Sequence, residues 1–181
     1  GCITYSNGTW TVSGKNLAPG ALWFKGNLQM SNGEYYNSVV ATGNITTSGA
    51  HVLYAVNYAG YQVICNNKFL KNSTTDFAGM YPTNFCNVSG AKLISNSLGN
   101  VGYLAGSFTN SVFSGGVITL GASSNVYGSI VAGDVFLTEG SSTVHGYVTA
   151  AAQGNTTANS WGGSTLIDTS NSPADYLPGN T

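Results

Sequence analysis

Gly116–Gly133 reads GVITLGASSNVYGSIVAG, and the stretch that follows it, Asp134–Ala151, reads DVFLTEGSSTVHGYVTAA. Laid over each other at an offset of 18 residues without a gap, they match Val117 with Val135, Val126 with Val144, Gly128 with Gly146 and Ala132 with Ala150. Ser123-Ser124 fall on Ser141-Ser142, and Ile130 meets Val148. β-Branched residues and glycines in common register mark an internal repeat, and an internal repeat decides the fold before any single element is read. Each unit divides into apolar-alternating pieces of about five or six residues punctuated by Gly, Ser and Asn, which reads as short strands joined by tight corners. Three such strands close one turn of a coil whose turns stack about 4.8 Å apart through parallel backbone hydrogen bonds.

Working outward, a third copy lies near the N-terminus. Tyr35-Tyr36-Asn37-Ser38-Val39-Val40-Ala41 aligns with Val126-Tyr127-Gly128-Ser129-Ile130-Val131-Ala132, and Asn44-Ile45-Thr46-Thr47-Ser48-Gly49 resembles the turn that begins at Asp134. The expected fold is an all-β solenoid, a parallel β-helix with about 18 residues per turn, formed by a single domain over residues 1–181. A non-repeating, aromatic-rich insertion is expected at about 56–98. Val117, Val126, Ile130, Val135, Val144 and Val148 are expected to point along the axis, with Thr119, Ser129 and Thr149 facing water. Gly128 and Gly146 suit corners that need positive φ or a close approach of backbone.

Only 6% of the 181 residues are charged, and none is arginine. Arginine is the preferred group for bidentate phosphate recognition, so the composition speaks against nucleic acid as a partner. Asn, Ser, Thr and Gly supply the polarity instead, as in secreted and cell-surface β-proteins. A hydrophobic content of 42% with 12% aromatics argues against disorder. No apolar run approaches the length of a membrane span, so membrane attachment is expected only through a segment ahead of Gly1.

Cys65 and Cys86 bracket a loop-rich segment of Asn, Thr and aromatics. They are expected to form a disulfide, which fits an oxidising compartment. The alternative is two separate buried thiols. No C-x-x-C pair exists and both histidines lie far from any cysteine, so neither a metal nor a cofactor is expected. Cys2 is then the odd cysteine, and its natural partner is expected upstream of Gly1.

The repeating turns resemble the polymer-forming, bactofilin-like right-handed β-helix. The wider arrangement resembles the C-terminal region of PilX-like minor type IV pilins of Gram-negative bacteria. Pro19-Gly20-Ala21-Leu22-Trp23-Phe24, the block from Tyr35 to Thr47, Tyr58-Ala59-Gly60-Tyr61 and the stretch from Ser114 to Gly163 carry that likeness. It implies a right-handed coil and a structural role. Two features depart from it: no apolar N-terminal helix is present, and cytoskeletal bactofilins lack a cysteine-bearing insertion, which argues for export. Neither family supplies catalytic or binding residues.

Right-handed β-helices include polysaccharide lyases and hydrolases, whose chemistry needs clustered carboxylates. The acids here are Glu34, Asp76, Asp134, Glu139, Asp168 and Asp175. Only Asp134 and Glu139 are neighbours in sequence, at different corners of one turn, and no enzyme is expected. His145 occupies the Tyr127 position of the preceding turn, where a stacked Tyr–His ladder on an outer face is expected. The insertion concentrates aromatics, namely Tyr54, Tyr58, Tyr61, Phe69, Phe77, Tyr81 and Phe85, together with Lys68, Lys71 and Lys92. Of these, Tyr54, Tyr58, Tyr61 and Tyr81 are candidates for contact with a partner or glycan; the alternative is that the aromatics form the insertion's own core. The N-x-S/T sequons at Asn7, Asn44, Asn72, Asn87 and Asn155 are read as chance in an Asn- and Thr-rich bacterial chain.

The leading expectation is a non-catalytic extracellular or cell-surface module, a minor pilin or a tip component of a surface fibre. Its partners would be other pilus or fibre subunits, or a host or surface glycan. A carbohydrate-binding module is the alternative class. A cytosolic bactofilin-like scaffold and an ice-binding protein are weaker readings. Ice binding asks for a regular Thr-x-Thr ladder, and Thr46-Thr47 and Thr119 do not continue as one in the sequence.

Overall fold

Short apolar pieces with period-2 alternation can bury one face only by stacking on copies of themselves. The computed structural model, which describes residues 2–13, 17–66, 80–154, 158–170 and 172–173, is mostly β, with two four-residue α-helices and two short 3-10 helices among the described residues. Its strands fall into three main sheets that the chain visits in rotation.

The first sheet holds Ile3–Ser6, Thr9–Val12, Asn27–Met30, Ile45–Thr47, Ile118–Leu120 and Phe136–Thr138. The second holds Gly33–Tyr35, His51–Tyr54, Asn125–Tyr127, Thr143–His145 and Leu166–Asp168. The third holds Gly20–Phe24, Asn37–Ala41, Val101–Ala105, Ser129–Ala132 and Val148–Ala150. Within these sheets every pairing is parallel except that of Ile3–Ser6 with Thr9–Val12, an antiparallel hairpin at the N-terminal edge of the first sheet.

Pairing reproduces the repeat. Ile118 lies beside Phe136, Val126 beside Val144 and Ile130 beside Val148, each 18 positions on (136 − 118, 144 − 126, 148 − 130). The N-terminal copy also falls where its alignment puts it. Tyr35 connects through Leu53 to Val126, Val39 through Tyr103 to Ile130, and Ala41 through Ala105 to Ala132.

One core runs between the three sheets. Leu28, Met30, Ile45, Ile118, Leu120 and Phe136 enter it from the first, and Tyr35, Leu53, Val126 and Val144 from the second. Val39, Ala41, Tyr103, Ala105, Ile130 and Ala132 enter from the third. Each large side chain so buried contributes about 1.5–3 kcal/mol. Of the residues expected on the axis, Val126, Ile130 and Val144 are in this core and Val148 packs against it; Val135 is buried but falls outside this cluster, and Val117 is only half-buried. On the first sheet the inward positions start one residue later, at Ile118 and Phe136. With a period of two, that single step reverses which side chains face inward. Ser129, expected in water, is also buried; its hydroxyl accepts the Tyr147 backbone N–H at 3.3 Å. Ser38, at the equivalent position two strands away in the same sheet, is buried too and accepts the Val56 N–H at 3.3 Å.

Gly128 and Gly146 close the corner between the second and third sheets with φ of 151° and 154°. A Cβ at Gly146 would stand 2.7 Å from the Gly128 carbonyl oxygen, so the corner needs glycine on space as well as on dihedral.

The core is not wholly apolar. His51 is fully buried, with its ring stacked on Tyr35 at a centroid distance of 4.8 Å. Its Nδ1 is 3.0 Å from the Ser31 carbonyl oxygen and its Nε2 meets the Tyr103 hydroxyl. A carbonyl only accepts, so the proton sits on Nδ1 and Nε2 accepts from Tyr103. Burial lowers the His51 pKa from 6.5 to about 4, partly offset by the Ser31 hydrogen bond. An unfolded chain takes up this proton near pH 6.5, whereas the folded one resists it down to about 4. Stability is therefore full above that window and is lost as pH falls through it, at up to about 1.4 kcal/mol per pH unit. Urea midpoints measured from pH 7 to pH 4 should fall accordingly, with a flatter profile for His51→Gln. A folded-state NMR titration of His51 near its ordinary value would contradict this.

Candidate functional site

After Tyr54 the chain leaves the second sheet, and it joins the third at Val101. Val56–Ala59 and Tyr61–Ile64 are helical, and a small hairpin pairs Cys86–Asn87 with Lys92–Leu93. These pieces are too short to be stable alone. They hold because Val56, Ile64, Cys65, Phe85 and Cys86 bury against Tyr36 in a second apolar cluster. Cys65 and Cys86 are joined by a disulfide, with their Cα atoms 5.7 Å apart. The Asn57 amide adds a polar tie, donating to Asn100 Oδ1 at 2.7 Å and to the Asn96 carbonyl at 3.0 Å.

The expected contact residues separate in this setting. Tyr58 and Tyr61 are half-buried, and Tyr61 packs against the small core. Phe85 belongs to that core. Tyr81 is exposed. Lys92 is exposed as well, while Phe69, Phe77, Lys68 and Lys71 lie outside the described residues. Reading the insertion by its aromatics missed its aliphatic surface. Met80, Val88, Ile94 and Leu98 are exposed by 61%, 47%, 46% and 38%, so the insertion carries exposed aliphatic side chains in addition to Tyr81. Their signal in the sequence was the lack of alternation in an apolar-bearing loop.

Tyr54 has a different place. It stacks between Tyr36, at 5.5 Å and 13°, and Tyr127, at 4.5 Å and 9°. Tyr127 in turn stacks on His145 at 4.2 Å and 9°. The ladder therefore exists and is two rings longer than expected, because Tyr54 and Tyr36 extend it beyond Tyr127. Acids stand at both ends: Tyr36 donates its hydroxyl to Glu34 at 2.6 Å, and His145 Nδ1 lies 3.4 Å from Asp168 Oδ2. Burial, aided by Tyr127 and Glu34, raises the Tyr54 pKa. Both faces of the Tyr54 and Tyr127 rings are occupied, so these rings offer only their edges to any ligand.

A second excursion was not foreseen. Ser107–Thr109 and Val112–Ser114 form a hairpin beyond the third sheet, with Phe108 and Val112 exposed by 63% and 67%.

The described carboxylates stand at separate places in the fold. Asp134 is buried where the chain approaches the first sheet, Glu139 follows that sheet's strand, and Glu34 and Asp168 cap the ladder. Asp76 and Asp175 lie outside the described residues, as do Asn72 and Asn155. No group of three or more His, Cys, Asp or Glu suited to a metal ion occurs among the described residues. Of the remaining sequons, Asn44 accepts the Val117 N–H and Asn87 accepts from Ser89 and Gly90, so their side chains serve local structure. No described helix is long and apolar enough to cross a membrane. Compared with known protein families, curated proteins and solved structures, the chain matches none.

A disulfide forms and persists in oxidising surroundings. Closing a separation of 21 residues stabilises the insertion by about 3 kcal/mol on the chain-entropy account. The double variant Cys65→Ser, Cys86→Ser should therefore be cleaved within the insertion at protease levels that leave the parent intact, with β circular dichroism retained. Equal protease resistance in the two proteins would show that the staple is not what holds the insertion.

Proposed function

We propose that the chain is a non-catalytic extracellular module that winds as a right-handed β-solenoid and serves as a structural or adhesive subunit of a surface fibre, as minor pilins do. The observation that carries this reading is the apolar surface of the stapled insertion. Met80, Tyr81, Val88, Ile94 and Leu98 are exposed on a base fixed by a disulfide and by its own buried cluster. Exposed apolar groups gathered on one segment mark a contact surface, whereas single ones scattered over a protein do not. A surface held rigid before contact loses less entropy on binding. The parallel sheets behind it supply that rigidity, and the disulfide fits an exported protein.

A partner protein is favoured over a glycan. Sugar recognition relies on open aromatic faces, and among the four candidate tyrosines Tyr54 has both faces covered while Tyr58 and Tyr61 are half-buried. The test is the triple variant Tyr81→Ser, Ile94→Ser, Leu98→Ser, expressed in the native host. Exposed substitutions of this kind change stability by only about 0.5 kcal/mol each, so the variant should fold and be exported while fibre assembly or surface adhesion is lost. Assembly and adhesion at parental levels would move the contact surface away from the insertion.

A further inference from the structure

The outward face of the first sheet has no part in the contacts described so far. Alternation sends Leu28, Met30, Ile45 and Ile118 inward and leaves Gln29, Thr46 and Thr119 outward. Register then sets Thr4, Thr11, Gln29, Thr46 and Thr119 in one column, each on its own strand, and the sixth strand ends that column with the apolar Leu137. Two residues along the strands, Ser6, Thr9 and Asn27 form a second column. Thr4, Ser6, Asn27, Gln29 and Thr46 are exposed, and Thr9, Thr11 and Thr119 partly so. The sequence conceals the array: Thr46 and Thr119 are 73 positions apart (119 − 46) yet adjacent in register, because the insertion and the second hairpin both loop out between them. Thr47, which looked like a member of a ladder, is buried.

No side chain in either column is ionisable or aromatic. Backbone pairing fixes the spacing at about 4.8 Å between strands and about 6.7 Å along them, so the five strands span about 20 Å. A charged ligand finds no counter-charge here, and a sugar finds no ring to stack on. Exchanging water for another hydroxyl ligand gains little, because a hydrogen bond made in water nets only about 1 kcal/mol. Water itself is the ligand that escapes this exchange. Waters held at fixed spacing by hydroxyl and amide groups become part of an ordered lattice, with no polar group desolvated. We propose that this face binds ice, a neutral, regularly repeating partner matched to a neutral, regularly repeating surface.

This inference is independent of the role given to the insertion. The probe is ice: partition of the protein into slowly grown polycrystalline ice, and the gap between melting and freezing points of a single crystal. The parent protein should be enriched in the ice and should open a gap, and Thr46→Lys and Gln29→Lys should lose both. Thr149→Lys, on the exposed side of the third sheet, should behave as the parent. Exclusion of the parent protein from ice along with ordinary solutes would overturn the proposal. So would parental behaviour of Thr46→Lys. Binding to crystalline cellulose or chitin that Thr46→Lys abolishes, without ice binding, would assign the face to polysaccharide instead.

Discussion

Everything in this molecule depends on parallel pairing across the insertion. Ile45 must find Ile118, Leu53 must find Val126, and Val39 must find Tyr103, at separations of 73, 73 and 64 residues. Other neighbouring turns of the repeat are close in sequence and meet at little cost. These three pairings close long loops, but loop-closure entropy grows only with the logarithm of length, so each doubling adds about 0.6 kcal/mol. What they secure is much larger: Ile45, Leu53 and Val39 on one side and Ile118, Val126 and Tyr103 on the other are all buried. A slip of one residue would turn every one of them to the opposite face.

The surface features follow from the same pairing. Tyr54 stacks on Tyr127 because their strands are in register, which joins a tyrosine pair from the N-terminal turns to a Tyr–His pair from the C-terminal ones. Thr46 stands beside Thr119 for the same reason. The insertion can carry an irregular, partly apolar surface because its own disulfide and buried cluster stabilise it and the sheets do not need it for their pairing.

Much of the fold was legible in the sequence. The 18-residue offset aligned residues that pair in space, and the N-terminal copy was placed correctly from Tyr35 to Ala41. That Val117 and Val135 fall outside the central cluster has a definite cause. Both belong to apolar pairs, Val117-Ile118 and Val135-Phe136, and either member could have faced inward; only the position of the corner decides which. His51 was invisible because nothing in the sequence around it distinguishes a core histidine from a loop one. At the candidate site, the disulfide and the Tyr127–His145 stack were readable from spacing. The addition of Tyr36 to the ladder was within reach, since its alignment with Tyr127 was already apparent. The burial of Tyr58 and Tyr61 was not, because the insertion has no repeat against which to set its faces.

The most direct test of the pairing across the insertion is a through-space NMR measurement on selectively methyl-labelled protein. Cross-peaks are expected between the methyls of Ile45 and Ile118 and between those of Leu53 and Val126, and they should persist when the disulfide is reduced. Finding Ile45 instead in contact with Val117, or no contact between these residues at all, would contradict the register on which the core, the ladder and the hydroxyl face rest.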